Sequence, residues 1–234
     1  MNIVITAGNG GLGQAFVNQL ARTPGNHITA TYCHNKPKHK QANVNWQRLD
    51  LSDETQIADW SADLGDIDWF INAAGMLHTP ANSPEKSLSQ FDTEFFMQNI
   101  QLNTLPTLLL AKHLQKHFRH ERPALFASLS ARIGSIEDNH LGGWYSYRIS
   151  KAGLNMALKT LSIEWQRKYP NVTVAAIHPG TNDTALTKPF HKHIPAKQLM
   201  PPEQGVTNIL NVLYKLGQQD SGRFWAFDGE ELPW

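Results

Sequence analysis

Short runs of apolar residues alternate along this chain with longer stretches in which apolar residues recur every three or four positions. The short runs predict seven β-strands, at residues 3–7, 28–32, 44–49, 69–73, 124–129, 172–177 and 223–227. The stretches between them predict helices. Regular alternation of strand and helix is typical of a doubly wound α/β fold, with helices on both faces of a parallel seven-stranded sheet.

Two helices have clear apolar faces. The segment 11–22 places Leu12, Ala15, Phe16, Gln19 and Leu20 on one stripe. The segment 95–118 predicts one long helix, whose face is formed by Phe96, Ile100, Asn103, Thr107, Leu110, Leu114 and Phe118. Asn103 is the polar exception on that face.

The pattern runs on without an internal repeat or linker, so we expect a single domain over residues 1–234. The least regular stretch is 184–202, which contains four prolines and several His and Lys residues. Such an insert is either a loop that covers the substrate or a long surface connection.

Composition narrows the class of partner. The 234 residues carry 21 basic and 20 acidic side chains, a net charge of +1, which argues against a nucleic-acid or membrane-surface protein. No apolar run approaches the roughly 20 residues of a membrane-spanning helix, and no export signal is visible. The single cysteine, Cys33, indicates a reducing compartment, so we expect a cytoplasmic protein with a small-molecule partner.

His113, His117 and His120 recur at helical spacing without a matching carboxylate motif, and we predict no metal site.

A glycine-rich turn follows the first strand, in the sequence Thr6-Ala7-Gly8-Asn9-Gly10-Gly11-Leu12-Gly13. The order of strand, turn and helix is the context that a dinucleotide phosphate requires, because glycine permits close approach and a helix start favours anions. After the second strand come His34, Asn35 and Lys36, with Lys38 and Lys40 beyond, and no acid. An acid there would favour NAD, so the basic residues favour NADP, unless they form only a solvated loop.

Tyr147 and Lys151 begin a further helical pattern. Their spacing of four residues puts the phenol and the ammonium on one helix face. A nearby cation favours the phenolate and brings the tyrosine pKa closer to neutrality.

With these motifs in this order, the chain resembles the short-chain dehydrogenase/reductase family over its whole length. The glycine turn matches that family's Thr-Gly-x-x-x-Gly-x-Gly motif, Asn72-Ala73-Ala74-Gly75 its Asn-Asn-Ala-Gly turn, and Tyr147 to Lys151 its Tyr-x-x-x-Lys. Within that family it resembles the sniffer-like carbonyl reductases and the C-factor-like proteins, as in Gly142-Gly143-Trp144-Tyr145. The resemblance implies a Rossmann fold.

The resemblance also implies roles. Tyr147 would protonate the carbonyl oxygen during reduction, Lys151 would lower the tyrosine pKa and bind the nicotinamide ribose, and Asn103 would hold a relay water. Expected cofactor contacts are Thr6, Gly8, Asn9, Gly11, Leu12, Gly13, His34, Asn35, Lys36, Asp50, Leu51, Asn72, Ala73, Ala74, Gly75, Tyr147, Lys151, Pro179, Gly180, Asn182 and Thr184.

The chain departs from the family pattern at two positions. Ala7 replaces the first glycine of the turn, and Ala131 occupies the slot of the substrate-orienting serine. Ser130 and Ser135 are the possible substitutes, and we favour Ser130, which can serve only if the strand has ended or bulged there.

These features predict an NADPH-dependent aldehyde or ketone reductase. The alternative is a C-factor-like signalling or nucleotide-sensing protein with weak or absent catalysis, because the usual serine is missing at Ala131. We also expect a homodimer or homotetramer, associated through the helices predicted at 95–118 and 147–168.

Overall fold

A mostly parallel sheet forms the centre of the protein, of which the computed structural model describes residues 1–38 and 41–234. The strands are β1 (Asn2–Thr6), β2 (His27–Tyr32), β3 (Val44–Arg48), β4 (Trp69–Asn72), β5 (Ala124–Leu129), β6 (Val172–His178), β7 (Thr181–Asn182), β8 (Leu199–Met200), β9 (Arg223–Ala226) and β10 (Glu231–Leu232). The main sheet has the order β3-β2-β1-β4-β5-β6-β9-β10, and β7 pairs with β8 separately.

The seven predicted strands are confirmed as the parallel part of this sheet, but the predicted number of strands is wrong by one. The eighth strand, β10, pairs antiparallel with β9 at the edge. It spans two residues, too short for an alternating pattern to be visible in the sequence.

Helices cover both faces, as predicted. They are α1 (Gly11–Leu20), α2 (Glu54–Ala62), α3 (Thr93–Asn103), α4 (Leu105–Leu114), α5 (Tyr145–Lys168) and α6 (Pro202–Leu213). On one face, Phe16 of α1 and Ile209 of α6 pack in a core with Ile5 of β1. On the other, Leu110 of α4 and Trp165 of α5 belong to a second core. The sheet therefore carries a buried apolar layer on each side.

The prediction of one continuous helix over 95–118 is wrong. α3 and α4 meet at Thr104, and a 3₁₀ turn follows over Gln115–Phe118. Pro106 explains the break, because its ring has no N–H and clashes with the preceding turn of a continuous helix. The buried face of α3 consists of Phe95, Asn99 and Asn103, one position from the predicted Phe96 and Ile100.

The sheet order reverses direction between β1 and β4. In open α/β sheets, ligands bind in the crevice at the carboxyl ends of the strands, where the order reverses. The turns after β1 and β4 face this crevice, and so do the segments that follow β5 and β6. None of the helices in the described residues is both long and apolar enough to cross a membrane.

Candidate active site

A cavity of about 1200 Å³ occupies this crevice. Its wall includes residues from the glycine turn, from the ends of β4, β5 and β6, and from the start of α5. The predicted site residues on the wall are Gly11, Leu12, Ala73, Ala74, Gly75, Ser130, Tyr147, Lys151, Pro179, Gly180 and Thr184. Part of the 184–202 segment also lines the cavity, at residues 184–187, 189, 190, 193 and 194.

The glycine turn packs too closely for larger side chains. A Cβ on Gly13 would lie 2.2 Å from the Ala7 carbonyl oxygen, and one on Gly11 would lie 2.5 Å from Thr184 Cγ2. Ala7 itself has φ +51°, in the left-handed region. That conformation costs a non-glycine residue about 1–2 kcal/mol. Ala7 thus adopts, at the position of the motif's first glycine, a conformation that glycine would adopt without this cost.

The start of α1 suits an anion. No side chain of the described residues caps this helix, and its first turn contains no acid. The first amide groups of a helix have no intrahelical partner, and no side chain among the described residues replaces one here. Gly10, Gly11 and Leu12 at this helix start line the cavity. Free amides, the helix dipole and the glycine cradle together fit a dinucleotide pyrophosphate.

The predicted cofactor contacts His34, Asn35, Lys36, Asp50 and Leu51 lie outside the cavity wall. His34, Asn35, Lys36 and Lys38 are exposed, and Lys40 is outside the described residues. Asp50 accepts hydrogen bonds from Ser52 N at 2.9 Å and Ser52 Oγ at 2.7 Å, which lower the pKa of its carboxyl.

Two contacts hold the loop after β2. Asn9 Nδ2 donates to Asn35 O at 3.1 Å, so the glycine turn is connected to the loop that follows β2. Arg48 Nε donates to Cys33 O at 3.2 Å. Arg48 adds a cation that the sequence interpretation missed. The available signal was its place near the end of the strand predicted at 44–49.

Thr6 and Asn72 support the site from behind the wall. Asn72 Oδ1 accepts from Thr6 Oγ1 at 2.8 Å and from Ala74 N at 3.1 Å, and its Nδ2 donates to Thr107 Oγ1 at 2.9 Å. Because these polar groups bond within the protein, the two side chains fix the turn at 73–75. Of the other predicted cofactor contacts, Gly8, Asn9, Gly13 and Asn182 also lie outside the cavity wall.

Tyr147 and Lys151 lie one helical turn apart at the start of α5, and both are buried. Lys151 Nζ is 5.8 Å from the centroid of the Tyr147 ring and donates to Leu129 O at 3.0 Å. Burial lowers the pKa of Lys151 to about 8. Burial also raises the pKa of Tyr147 well above its ordinary value.

The raised pKa of Tyr147 is opposite to the lowering expected from Lys151. The reason is that burial disfavours the phenolate, and the phenol has no direct hydrogen bond to the ammonium, which bonds Leu129 instead. The phenol is therefore protonated at neutral pH, which is the form that a general acid needs at the start of a reduction.

Ser130 directly follows the end of β5 at Leu129, which meets the condition set by the sequence. It lines the same cavity as Tyr147, whereas the buried Ser135 does not. Ser135 Oγ accepts from Asp138 N at 3.0 Å. The structure therefore places Ser130, and not Ser135, on the wall with the tyrosine.

Asn155 is a neighbour of this group that the sequence interpretation missed. Ser130 Oγ donates to Asn155 Oδ1 at 2.5 Å. Tyr147, Lys151 and Asn155 are spaced four residues apart on α5, so one helix face carries all three. Extending the Tyr-Lys spacing by one turn would have found it.

Asn103 lies at the end of α3 and holds the backbone of Met76, in the loop after β4, by two hydrogen bonds. Its Oδ1 accepts from Met76 N at 2.7 Å, and its Nδ2 donates to Met76 O at 2.8 Å and to Ser150 Oγ at 2.9 Å. Asn103 is outside the cavity wall, behind Gly75 and Met76, which line it. Its relay role stays a prediction.

A family model described as short chain dehydrogenase matches residues 1–195. The protein is a short-chain dehydrogenase. It is thus an oxidoreductase, as the ordered motifs predicted. The C-signal protein of Myxococcus xanthus is 31% identical to this short-chain dehydrogenase over 170 residues, which are 73% of this chain and 94% of that protein.

Two solved structures share the fold of this short-chain dehydrogenase. The carbonyl reductase Sniffer of D. melanogaster superposes with a TM-score of 0.86 and 24% identity, covering 100% of this chain and 99% of that one. An NADPH-bound carbonyl reductase from chicken fatty liver gives a TM-score of 0.84 at 24% identity, with 100% and 98% coverage. The Rossmann fold and the resemblance to the sniffer-like and C-factor-like group are confirmed.

Proposed function

We propose that this short-chain dehydrogenase is an NADP-dependent reductase of aldehydes or ketones. The observation that carries the proposal is that Tyr147, Lys151 and Ser130 line the same cavity as the glycine turn. The carbonyl reductases with the same fold support this choice of reaction.

Reduced nicotinamide supplies a hydride to the carbonyl carbon when it is bound, and the protein supplies the rest. Tyr147 Oη donates its proton to the carbonyl oxygen, so that the ketone becomes an alcohol. The Ser130 hydroxyl, fixed by Asn155, orients and polarises the same oxygen. Lys151 and the proposed relay water at Asn103 return a proton to Tyr147 from solvent.

The glycine turn and the start of α1 would hold the pyrophosphate, and Lys151 the nicotinamide ribose. The chain from Pro179 through Thr184 would face the nicotinamide. Lys36 and Arg48 favour NADP, because both are cations near the end of β2, where the 2′-phosphate would lie, and no acid occurs between residues 31 and 36.

Titration with both reduced nicotinamides tests the cofactor preference. We expect NADPH to bind at least tenfold more tightly than NADH. Arg48→Leu should weaken NADPH binding about fivefold to tenfold and leave NADH unchanged, because only NADPH carries the extra phosphate. Equal dissociation constants for the two cofactors in the native protein would contradict the preference.

A panel of aldehydes and ketones, assayed with NADPH, tests the reaction itself. Turnover above background is the expected result. Tight cofactor binding without turnover on any member would instead support the nucleotide-sensing alternative, for which the similarity to the C-signal protein is the supporting observation.

We further propose a homodimer or homotetramer. Apolar side chains on α3, α4 and α5 are exposed without a partner in the single chain: Met97, Leu102, Leu105, Leu108, Ile149, Met156 and Ile163. A second copy would remove them from water. Light scattering at micromolar concentration should give at least twice 26.3 kDa. Met156→Glu should reduce that mass, and a monomeric native protein would refute association.

A further inference from the structure

The helix that carries Tyr147 and Lys151 begins without a cap from its own sequence. Trp144 stands at the N-cap position of α5, and its side chain makes no capping hydrogen bond. The first turn of α5 contains no acid. The sequence at this point therefore supplies no side chain for the first amide groups of a 24-residue helix, which have no intrahelical partner.

Glu85, in the loop between β4 and α3, supplies the cap from 61 residues away. Its carboxylate accepts from Ser146 N at 3.2 Å and from Ser146 Oγ. Its backbone oxygen accepts from Trp144 N at 2.5 Å. Trp144 has φ +53°, in the left-handed region, and such strain in a bulky residue persists only where surrounding contacts enforce it. Glu85 makes these contacts.

The Glu85 side chain is buried against the helix start. Glu85 is 2% exposed, and within the described chain Ser146 is the only residue that bonds its carboxylate. Burial of a carboxylate costs free energy unless hydrogen bonds replace water, and the positive end of the helix dipole favours an anion at this place. The neighbouring residues Ser83, Pro84 and Lys86 line the cavity, so the loop joins the cavity wall to α5.

Tyr147 follows Ser146 directly in α5. The Tyr147 ring lies near Trp144, at 6.3 Å between centroids, and near Lys151 Nζ, at 5.8 Å from its centroid. In the described part of the chain its hydroxyl has no hydrogen-bond partner. The place of this hydroxyl in the cavity therefore depends on the backbone at the start of α5, which Glu85 holds.

Arg148 holds the same backbone on the other side of Tyr147. Its guanidinium donates to Gly142 O at 3.1 Å, to Gly143 O at 3.0 Å and to Ile133 O at 3.2 Å. The residues before and after the tyrosine are thus each fixed to a different loop.

We propose that Glu85 is a positioning residue for the reduction: as a cap supplied from another loop, it sets the place of the Tyr147 hydroxyl relative to the carbonyl oxygen of the substrate. The inference rests on the proposed reductase function and adds a residue to the same site. A displacement of about 1 Å can cost roughly 100-fold in rate, so loss of the cap should act on the chemical step rather than on binding.

Kinetics of Glu85 variants give the first test. Glu85→Ala should lower kcat for ketone reduction about tenfold to 100-fold, because the phenol is displaced. KM for the ketone and the dissociation constant of NADPH should each change less than about threefold. Glu85→Gln keeps an acceptor for Ser146 N, so it should return kcat to within about threefold of native.

Asp92→Ala is the matched control. Asp92 caps α3 by accepting from Phe95 N at 2.7 Å, and it is exposed and outside the cavity wall. Its loss should lower the melting temperature and leave kcat unchanged. An equal loss of kcat in Asp92→Ala and Glu85→Ala would mean that any destabilised helix start slows the enzyme, and this would overturn the proposal.

The Tyr147→Phe background tests whether Glu85 acts through the hydroxyl. Without a hydroxyl to place, Glu85→Ala should lower the remaining single-turnover rate less than about twofold. A merely structural Glu85 would cause the same tenfold to 100-fold loss in both backgrounds. That additive result would contradict a positioning role.

Nuclear magnetic resonance gives a readout that needs no turnover. With ¹³C at Cζ of the five tyrosines, the Tyr147 signal is assigned by its loss in Tyr147→Phe. Glu85→Ala should shift or broaden this signal, whereas unchanged signals of Tyr32, Tyr169 and Tyr214 show that the variant has folded. An unmoved Tyr147 signal would refute the positioning of the phenol.

Ser146→Ala serves where Glu85→Ala does not fold. It removes only the hydroxyl that donates to Glu85 and keeps the N–H donor, so we expect a loss of about threefold in kcat and a smaller shift of the Tyr147 signal. A native signal and a native kcat in this variant would overturn the proposal.

The outcomes separate this inference from the proposed function. Native kcat in a folded Glu85→Ala protein overturns the role of Glu85 and leaves the reductase function in place. If the native protein reduces no member of the carbonyl panel, the reductase function fails, and the Tyr147 signal still decides whether Glu85 places the phenol.

Discussion

Tyr147→Phe is expected to lower kcat for ketone reduction by about 10²–10⁴-fold, the usual contribution of a positioned general acid. The substitution removes one oxygen from a buried ring and keeps its packing against Trp144. NADPH binding should therefore stay nearly unchanged. Single-turnover kinetics and a fluorescence titration of NADPH measure the two quantities on the same preparation.

Tyr145→Phe is the matched control. Tyr145 is two residues earlier on α5 and does not line the cavity, so the loss of its hydroxyl should change kcat less than twofold. A Tyr147→Phe protein with native turnover would refute the proposed proton donor. Equal loss in both variants would show that the start of α5, rather than the phenol, had been disturbed.

The parallel strands were predictable because each is an apolar run buried by helices on both faces, as in β5, whose six residues are all buried. β10 was not, since two residues carry no periodicity. The break between α3 and α4 had a signal in Pro106, but proline is also tolerated in the first turn of a helix. The apolar pattern continues without interruption past Pro106, and for this reason one helix was predicted.

The residues of the candidate site were likewise predictable only where their signal is local in the sequence. Tyr147 and Lys151 were predictable because helical spacing is local. Ser130 stayed ambiguous until the end of β5 was known, because one residue more of strand would have turned the hydroxyl to the other face. The burial of Glu85 beside the start of α5 could not be predicted, since its carboxylate accepts from Ser146 N, 61 residues later in the chain.

Lys151→Met is expected to lower kcat/KM for reduction by about 100-fold or more, because it removes both a ribose ligand and a member of the proton relay. Methionine fills a similar volume, so the fold should be retained. Lys159→Met is the control: Lys159 lies two turns further along α5 and donates to Gly222 O at 3.1 Å, away from the cavity. Loss of the same size in both variants would contradict a specific role for Lys151.

The pH profile is the sharper test of Lys151. Burial holds its pKa at about 8 in the folded protein, below its ordinary value of 10.5, so the ammonium is lost as pH rises through about 8. Native kcat/KM should fall over that range, and Lys151→Met should lack this step.

The same pKa shift predicts an effect on stability. Between about pH 8 and 10.5 the unfolded chain binds one more proton at Lys151 than the folded protein does, so Lys151 makes the free energy of unfolding increase with pH. Below pH 8 the buried charge opposes folding, and Lys151→Met should be more stable than the native protein at pH 7 while being less active. A gain in stability with a loss of activity would identify Lys151 as a charge kept for catalysis, whereas a less stable variant at pH 7 would refute it.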